Sequence, residues 1–369
     1  MAKIAIDARL INSSTGRYIE RLVHYLEEVD TENDYTVIIP SKDKNFYIPS
    51  NPRFKVMFSD HQIYSFSEQL GFKKLLDTLS PDLVHFCMPQ QPILYRGKSV
   101  TTFHDLTLLS IYNSDKNWLI YRIKQLVGRY VFKRVARTSQ HLITPTEYVK
   151  KSLVEFAKIP SEKVTVTLEA AEIVSDTPEA YEPMVDKKYI MYVGSQSDYK
   201  NIKRLILAHQ KLLQNNPELQ LVLVGKTTGK NGKAAGCNKA WSEANGHKNV
   251  VFTGFLPDEQ LAWLYQHTAA YVFPSLMEGF GLPGLEAMIS GAPVVSSNTT
   301  CLPEVHGDAA EYFNPTNVDD IALAVQRVIG NETLRSSLIQ KGYTQAAKYS
   351  WRRMAEQTHQ VYMHALTDK

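Results

Sequence analysis

The segment Pro274–Gly291 constrains this chain most, because its residue types fit a strand, a tight loop and a helix in succession. The apolar run Ala269–Phe273 leads into it like a buried strand, and Pro274 ends that run. Gly279 and Gly281 then permit tight turns and leave little side-chain bulk over the backbone. We therefore expect a glycine loop directly after a buried strand.

The helix after these glycines is predicted to begin at Pro283 and to end near Gly291. The first N–H groups of a helix have no partners within it and attract phosphate. Glu278 and Glu286 flank this helix start, although carboxylates repel phosphate. The two carboxylates fit better as hydrogen-bond acceptors for sugar hydroxyls. Glu286 would accept from a ribose diol and Glu278 from the hydroxyls of a second sugar. The pattern predicts a nucleotide-sugar site; the alternative is a strand, loop and helix with two solvated glutamates.

Both glutamates belong to the motif Pro-Ser-x-x-Glu-Gly-Phe-Gly-Leu-Pro-x-x-Glu-Ala-Met, with seven residues between them. This motif resembles the signature of the retaining glycosyltransferases of family four. The resemblance implies an α/β fold of the GT-B type, with two Rossmann-like domains facing across a cleft. Besides Glu278, it assigns the following residues of the motif to the donor site: Gly279, Phe280, Gly281, Leu282 and Glu286.

Size and composition indicate a globular protein of two domains. The chain has 369 residues, of which 44% are hydrophobic and 21% charged, and its net charge of +3 is too small to indicate nucleic acid as a partner. Cys87, Cys237 and Cys301 lack metal-ligand spacing and predict reduced thiols. The N-terminus enters a strand without a signal peptide, and no apolar run approaches the ~20 residues that span a bilayer. We expect a cytoplasmic protein.

Proline and polar residues place a linker at Ser175–Lys187, between two series of predicted strands and helices. We expect an N-terminal, acceptor-side Rossmann-like domain over residues 1–172. A nucleotide-sugar-binding domain is expected over 173–349 and a terminal helix over 350–369. The resemblance implies that this last helix crosses back to the first domain.

Gly16 opens the first helix, and the resemblance implies that the turn before it faces the donor diphosphate and the acceptor. A simple helix-start glycine is the alternative. The Gly-x-Gly-x-x-Gly pattern is absent from this turn, which argues against an NAD oxidoreductase.

His104 follows the buried strand Ser99–Phe103, at the end of a strand where open α/β sheets bind ligands. We predict that it donates a hydrogen bond to a sugar hydroxyl or to a carbonyl near the reacting carbon. A passive histidine beside a helix-capping Asp105 is the alternative.

The segment Lys116–Arg137 contains seven basic residues and no acidic residue. The basic residues of one helix face are Arg122, Arg129, Lys133 and Arg137, and the apolar residues of another are Leu119, Ile123, Leu126, Tyr130 and Val131. Such a helix can make peripheral contact with anionic lipid at the inner face of a membrane. A core-packing helix with a solvated basic edge is the alternative.

Two further segments of the second domain complete the predicted donor site. Lys200 lies at the start of a predicted helix, where an ammonium group would stabilise a leaving diphosphate. The family usually has a basic residue where this chain has Ser195, and Arg204, one helical turn beyond Lys200, could replace it. A solvated lysine at the helix start is the alternative for Lys200. The resemblance also implies that Phe255 and Leu256 border the base.

These residues predict a retaining hexosyltransferase of polysaccharide or glycolipid synthesis that uses a nucleoside diphosphate sugar. We assign the catalytic roles to His104, Glu278 and Lys200. The sequence contains no Asp-x-Asp, the usual carboxylate pair for a divalent ion, so we expect no metal and no cofactor. The acceptor would be a glycan, a lipid-linked sugar or a small molecule. An epimerase or phosphorylase of the same fold, or a non-catalytic binding scaffold, are the alternatives.

Overall fold

The computed structural model describes residues 1–13, 15–110, 118–226 and 234–368. These residues form two compact units. The first unit contains the described residues between 1 and 169 together with 350–368, and the second contains those between 170 and 349. Lys116 of the predicted basic helix lies outside the described residues.

The strands are, in chain order, β1 (Lys3–Asp7), β2 (Asp34–Ile39), β3 (Phe54–Phe58), β4 (Leu83–Phe86), β5 (Ser99–Thr102), β6 (His141–Thr144), β7 (Val164–Val166), β8 (Tyr189–Val193), β9 (Gln220–Val224), β10 (Val250–Gly254), β11 (Ala270–Phe273), β12 (Val294–Ser297) and β13 (Ala310–Phe313). The helices are α1 (Gly16–Val29), α2 (Lys73–Leu79), α3 (Thr107–Ser110), α4 (Trp118–Thr138), α5 (Glu147–Ala157), α6 (Ile202–Leu212), α7 (Ala234–Ala244), α8 (Asp258–His267), α9 (Leu282–Ile289), α10 (Leu302–His306), α11 (Val318–Ile329), α12 (Glu332–Ala346) and α13 (Trp351–Thr367).

In the first unit, the described residues form a seven-stranded parallel sheet in the order β3-β2-β1-β4-β5-β6-β7. Ile4 of β1 is paired with Tyr35 on one side and with Leu83 on the other, so β1 lies inside the sheet. Its run Ile4–Ile6 is apolar throughout because a parallel strand is covered on both faces. The carboxyl ends of all seven strands therefore lie along one edge of this sheet.

Helix α13 packs against α1 and the strands β4 to β6, although it lies far from them in the sequence. Its Tyr362 is fully buried, and the Oη atom lies 2.6 Å from the Nδ1 atom of His85 in β4. A helix at the end of the chain is thus part of the core of the first unit.

The second unit has a six-stranded parallel sheet in the described residues, in the order β10-β9-β8-β11-β12-β13. The strand order changes direction between β8 and β11, and open α/β sheets bind ligands at such a point. The loops after β8 and β11 therefore flank the expected binding crevice. The predicted α/β class with two parallel sheets is confirmed, whereas β13 and α7 were not predicted.

Candidate active site

In the loop between β11 and α9, Gly281 adopts a conformation that favours glycine, as predicted, whereas Gly279 has no positive φ angle. Gly281 has a φ of +101° and forms the N-cap of α9, where a Cβ atom would also crowd the Leu302 side chain. The helix begins at Leu282, one residue before the predicted start at Pro283. Gly291 has a φ of +82° just beyond the end of the helix. Phe280 is buried edge-on against Tyr349, which fixes the outer part of the loop.

His306 of α10 packs against this loop, and this contact was not predicted from the sequence. The ring is fully buried, with its Nδ1 atom 3.2 Å from the Oγ atom of Ser296. A Cβ atom at Gly284 would overlap its Nε2 atom, so any larger residue at this helix position would require the ring to move. Burial lowers the pKa of His306 to about 4. The loop therefore rests on a neutral imidazole at physiological pH.

Lys200 and Glu278 form an ion pair between the loops that follow β8 and β11. Their Nζ and Oε1 atoms are 2.6 Å apart, and the two side chains are only 14% and 12% exposed. Burial opposes the charged form of Lys200, but the Glu278 carboxylate, together with Tyr192 and Tyr199, holds the pKa of Lys200 above its ordinary value. The pair thus presents a permanent ammonium group beside the glycine loop.

Lys200 does not begin α6, contrary to our expectation. It ends a short 3-10 turn, and Asn201 follows with a φ of +61°. The Nδ2 atom of Asn201 donates to the carbonyl oxygens of Pro274 (3.0 Å) and Pro315 (2.7 Å). Its Oδ1 atom accepts from the Nη1 atom of Arg204 (2.9 Å). The predicted helical spacing of Arg204 and Lys200 is therefore wrong, and a phosphate contact by Arg204 stays a prediction.

Of the other predicted donor residues of this unit, Ser195, Phe255 and Leu256 follow the carboxyl ends of strands, and Glu286 lies in a helix. Ser195 is exposed after β8, and its carbonyl oxygen accepts a hydrogen bond from Tyr192 (2.8 Å). Phe255 is 77% exposed directly after β10, whereas Leu256 is buried. Glu286 is buried in the second turn of α9. Their contacts with a donor stay predictions.

In the first unit, Gly16 begins α1 and packs against the backbone. A Cβ atom there would overlap the carbonyl oxygen of Ile11, and the Gly16 N–H donates to the carbonyl of Ser13 (2.9 Å). Close packing alone therefore explains a glycine at this position. A contact with the donor stays a prediction.

His104 lies just beyond β5, as predicted, and both of its ring nitrogens have partners. Its Nδ1 atom lies 3.1 Å from the Oε1 atom of Glu169, and its Nε2 atom lies 3.1 Å from the carbonyl oxygen of Cys87. Its side chain is 14% exposed. The pairing of His104 with Glu169 was not predicted, because no local motif connects two residues that lie 65 positions apart.

The described residues contain no group of three or more His, Cys, Asp or Glu side chains that could hold a metal ion. Among the helices that the structure describes, none has both the length and the apolar character needed to cross a membrane. Cys87 and Cys301 are buried free thiols, and burial raises the pKa of both.

Known proteins match this chain over nearly its whole length. A model of "Glycosyltransferase Family 4" matches residues 15–167, and a model of "Glycosyl transferases group 1" matches residues 175–345. O-antigen chain mannosyltransferase B of Escherichia coli is 29% identical over 282 residues, which are 72% of this chain and 70% of the relative. The serotype-specific mannosyltransferase WbdA of Escherichia coli is 30% identical over 266 residues, 69% of this chain but 32% of the relative.

The crystal structure of HepE from Anabaena in complex with UDP-glucose has the same fold. It superposes with a TM-score of 0.76 over 99% of this chain and 100% of that chain, at 15% identity. The two parallel-sheet units and this likeness place the chain in the GT-B fold class. The chain belongs to glycosyltransferase family 4. The predicted family, fold class and hexosyltransferase activity are thereby confirmed.

Proposed function

We propose that this glycosyltransferase takes a mannosyl group from a nucleoside diphosphate sugar and transfers it, with retention and without a metal, to a hydroxyl group of a glycan. Mannose is supported by the names of both Escherichia coli relatives. A nucleoside diphosphate donor is supported by the glycine loop and helix start of α9, since helix N-termini bind phosphate.

The ion pair of Lys200 and Glu278 carries this proposal. Its ammonium group lies beside the glycine loop, where negative charge would develop as the nucleoside diphosphate leaves. The Glu278 carboxylate keeps a second oxygen for sugar hydroxyls. Lys200 and the N-terminus of α9 would then stabilise the leaving group without a divalent ion. No carboxylate is assigned as a nucleophile, so retention would follow from attack on the face that the leaving group departs from.

Thermal unfolding with a panel of nucleotides tests the donor. The panel contains UDP, GDP, ADP and their sugars, including UDP-glucose and GDP-mannose, each with EDTA and then with magnesium. We expect one nucleoside diphosphate and its sugar to raise the Tm equally under both conditions, since a ligand of the native state stabilises it. Lys200→Ala should abolish the shift, and the exposed Lys187→Ala is the matched control.

Stabilisation by a mannosyl nucleotide would support mannose as the transferred sugar. Stabilisation by the nucleotide of another sugar would overturn mannose in favour of that sugar. A Tm shift that requires magnesium would overturn the metal-independent reading. No shift with any compound would overturn the nucleotide donor itself.

We also propose that α4 makes peripheral contact with an anionic membrane, through which a lipid-linked acceptor would be reached. Leu126, Val127 and Tyr130 are each more than half exposed. Leu126 and Tyr130 had been expected on the apolar face of the helix, but the described side chains of α4 that are buried include Phe132 and Val135 instead. The exposed apolar residues adjoin basic residues of the same helix, as in helices that lie on anionic lipid.

Co-sedimentation with vesicles tests this contact. At low salt, we expect binding to vesicles containing phosphatidylglycerol and none to vesicles of phosphatidylcholine alone, because the attraction is electrostatic. Arg129→Glu and Leu126→Asp should each reduce binding, whereas Lys151→Glu on the exposed side of α5 should not. Equal sedimentation of all variants, or none of the wild type, would end the proposal.

A further inference from the structure

Glu169 and His104 form a buried pair in the first unit. Glu169 is only 5% exposed, and it is the last residue of this unit before the chain enters the second. The side chain reaches back to the end of β5, where its Oε1 atom lies 3.1 Å from the Nδ1 atom of His104. A carboxylate at this depth is stable only with a partner of this kind.

The atoms opposite the two ring nitrogens of His104 are both oxygens. The carbonyl of Cys87 only accepts, so the Nε2 atom of His104 carries a hydrogen in this geometry. An ionised Glu169 also only accepts, and Nδ1 then carries a hydrogen as well. With the proton on Glu169 instead, Nδ1 accepts it. In both distributions the pair shares one proton, and the Nε2 atom keeps its hydrogen and donates it to the carbonyl oxygen of Cys87.

A third contact holds the ring in place. Tyr18 of α1 meets His104 edge-on, with centroids 4.6 Å apart and planes at 79°. The Oη atom of Tyr18 lies 2.9 Å from the Oγ1 atom of Thr102, which lies 2.8 Å from the Nε2 atom of His85. His85 in turn lies 2.6 Å from the Oη atom of Tyr362. A continuous buried chain thus connects α13 to the residue that packs on His104.

We propose that Glu169 is a positioning residue for sugar transfer, which fixes both the orientation and the protonation of the His104 ring. The inference rests on the sequence-based prediction that His104 lies near the reacting sugar, although its Nε2 hydrogen is engaged by the carbonyl of Cys87 and is not free for a sugar hydroxyl. With both nitrogens engaged, His104 does not serve as a free proton acceptor. It offers a ligand a ring of fixed orientation, which costs no reorganisation when the transition state forms.

NMR spectroscopy tests the protonation without any sugar donor. Long-range proton–nitrogen spectra of the full chain, labelled with ¹⁵N-histidine, show which ring nitrogens carry hydrogen, and His104→Asn identifies the signal. We expect Nε2 to be protonated in the wild type and in Glu169→Gln, whose amide can donate to Nδ1. Glu169→Ala should shift the His104 signals. A wild-type ring without hydrogen on Nε2, or signals that Glu169→Ala leaves in place, would overturn the proposal.

Turnover tests the catalytic consequence, with the sugar nucleotide that raises the Tm in the panel above as the probe. We expect Glu169→Ala to lower kcat by roughly 10- to 100-fold, with the donor KM within about twofold, as for a group misplaced by an ångström. Glu169→Gln should recover most of the rate. The exposed Glu162→Ala is the matched control.

A double-mutant cycle separates positioning from general stability. If Glu169 acts through His104, Glu169→Ala should cause no further loss in a His104→Ala background. Equal losses in both backgrounds would overturn the proposal. Failure of the nucleotide panel would overturn the proposed donor but leave the NMR result intact, so the two failures are distinguishable.

Discussion

Lys200 and Glu278 each carry a charge that is nearly buried, so each depends on the other for its stability. Lys200→Met leaves the Glu278 carboxylate without its partner, and we expect a loss of about 3 kcal/mol in the free energy of unfolding. The double variant Lys200→Met/Glu278→Met removes both charges and should recover most of that loss. Urea unfolding measures both. A double variant no more stable than Lys200→Met would contradict the buried-pair account.

Glu286 is buried in α9, and the resemblance to family four assigns it to the donor. Glu286→Ala should weaken binding of the stabilising nucleoside diphosphate by about 1–3 kcal/mol, or roughly 5- to 150-fold, because a buried ribose diol loses its acceptor. Isothermal titration calorimetry measures this affinity. The exposed Glu218→Ala provides the control, and an unchanged affinity in Glu286→Ala would remove this residue from the site.

At the scale of single residues, the sequence predicts those features that depend on local backbone conformation. Gly281 and Gly291 have positive φ angles where a loop and a helix end had been expected, because such angles exclude most side chains. The pairing of Lys200 with Glu278 was not predicted, although both had been assigned to the site, because 78 residues separate them. The pairing of Glu169 with His104 was not predicted either, because only the folded chain brings these two residues together.

Helix α9 is short and rests on a single buried ring, which makes its packing sensitive to one methyl group. Gly284→Ala would push a Cβ atom into His306, and we expect a loss of about 1–3 kcal/mol in stability together with weaker nucleotide binding. His306→Ala should partly restore the stability of Gly284→Ala because it empties the space. Thermal unfolding of the three variants checks this. Additive losses in the double variant would show that the two residues do not compete for space.

At the scale of the elements, apolar periodicity predicts most helices and strands. It does not always predict which face of a helix is buried. In α4, Leu126 and Tyr130 fit an apolar stripe, yet they are exposed. The stripe that reaches the core is centred on Phe132 and Val135 instead. When two faces of a helix both carry apolar residues, the sequence pattern allows either face to be buried. Only packing against the strands and the neighbouring helices decides which one is buried.

Across the whole molecule, buried neutral histidines predict how stability depends on pH. Burial lowers the pKa of His85 to about 3 and that of His209 and His306 to about 4, below the ordinary value of 6.5. Between these folded-state pKa values and 6.5, the unfolded chain therefore binds more protons than the folded protein. The histidines contribute their whole stabilisation above pH 6.5, and this contribution is lost as the pH falls towards 4. Each histidine contributes up to about 1.4 kcal/mol per pH unit.

Urea unfolding at pH 7.5, 6 and 5 measures this slope. His209→Gln should flatten it, because one group that titrates on unfolding is removed while the side chain can still donate to the carbonyl of Leu219. The same slope in His209→Gln and the wild type would show that His209 does not contribute.

The first unit is built from two separate parts of the chain, and this has a consequence for synthesis. A ribosome completes residues 170–349 before it makes Trp351–Thr367, the helix that covers α1 and the middle of the first sheet. The unit that is translated second can therefore fold while the unit that is translated first still exposes the surface around His85. In the nascent protein, the surface of the first unit that α13 covers is therefore the last part of this unit to be buried.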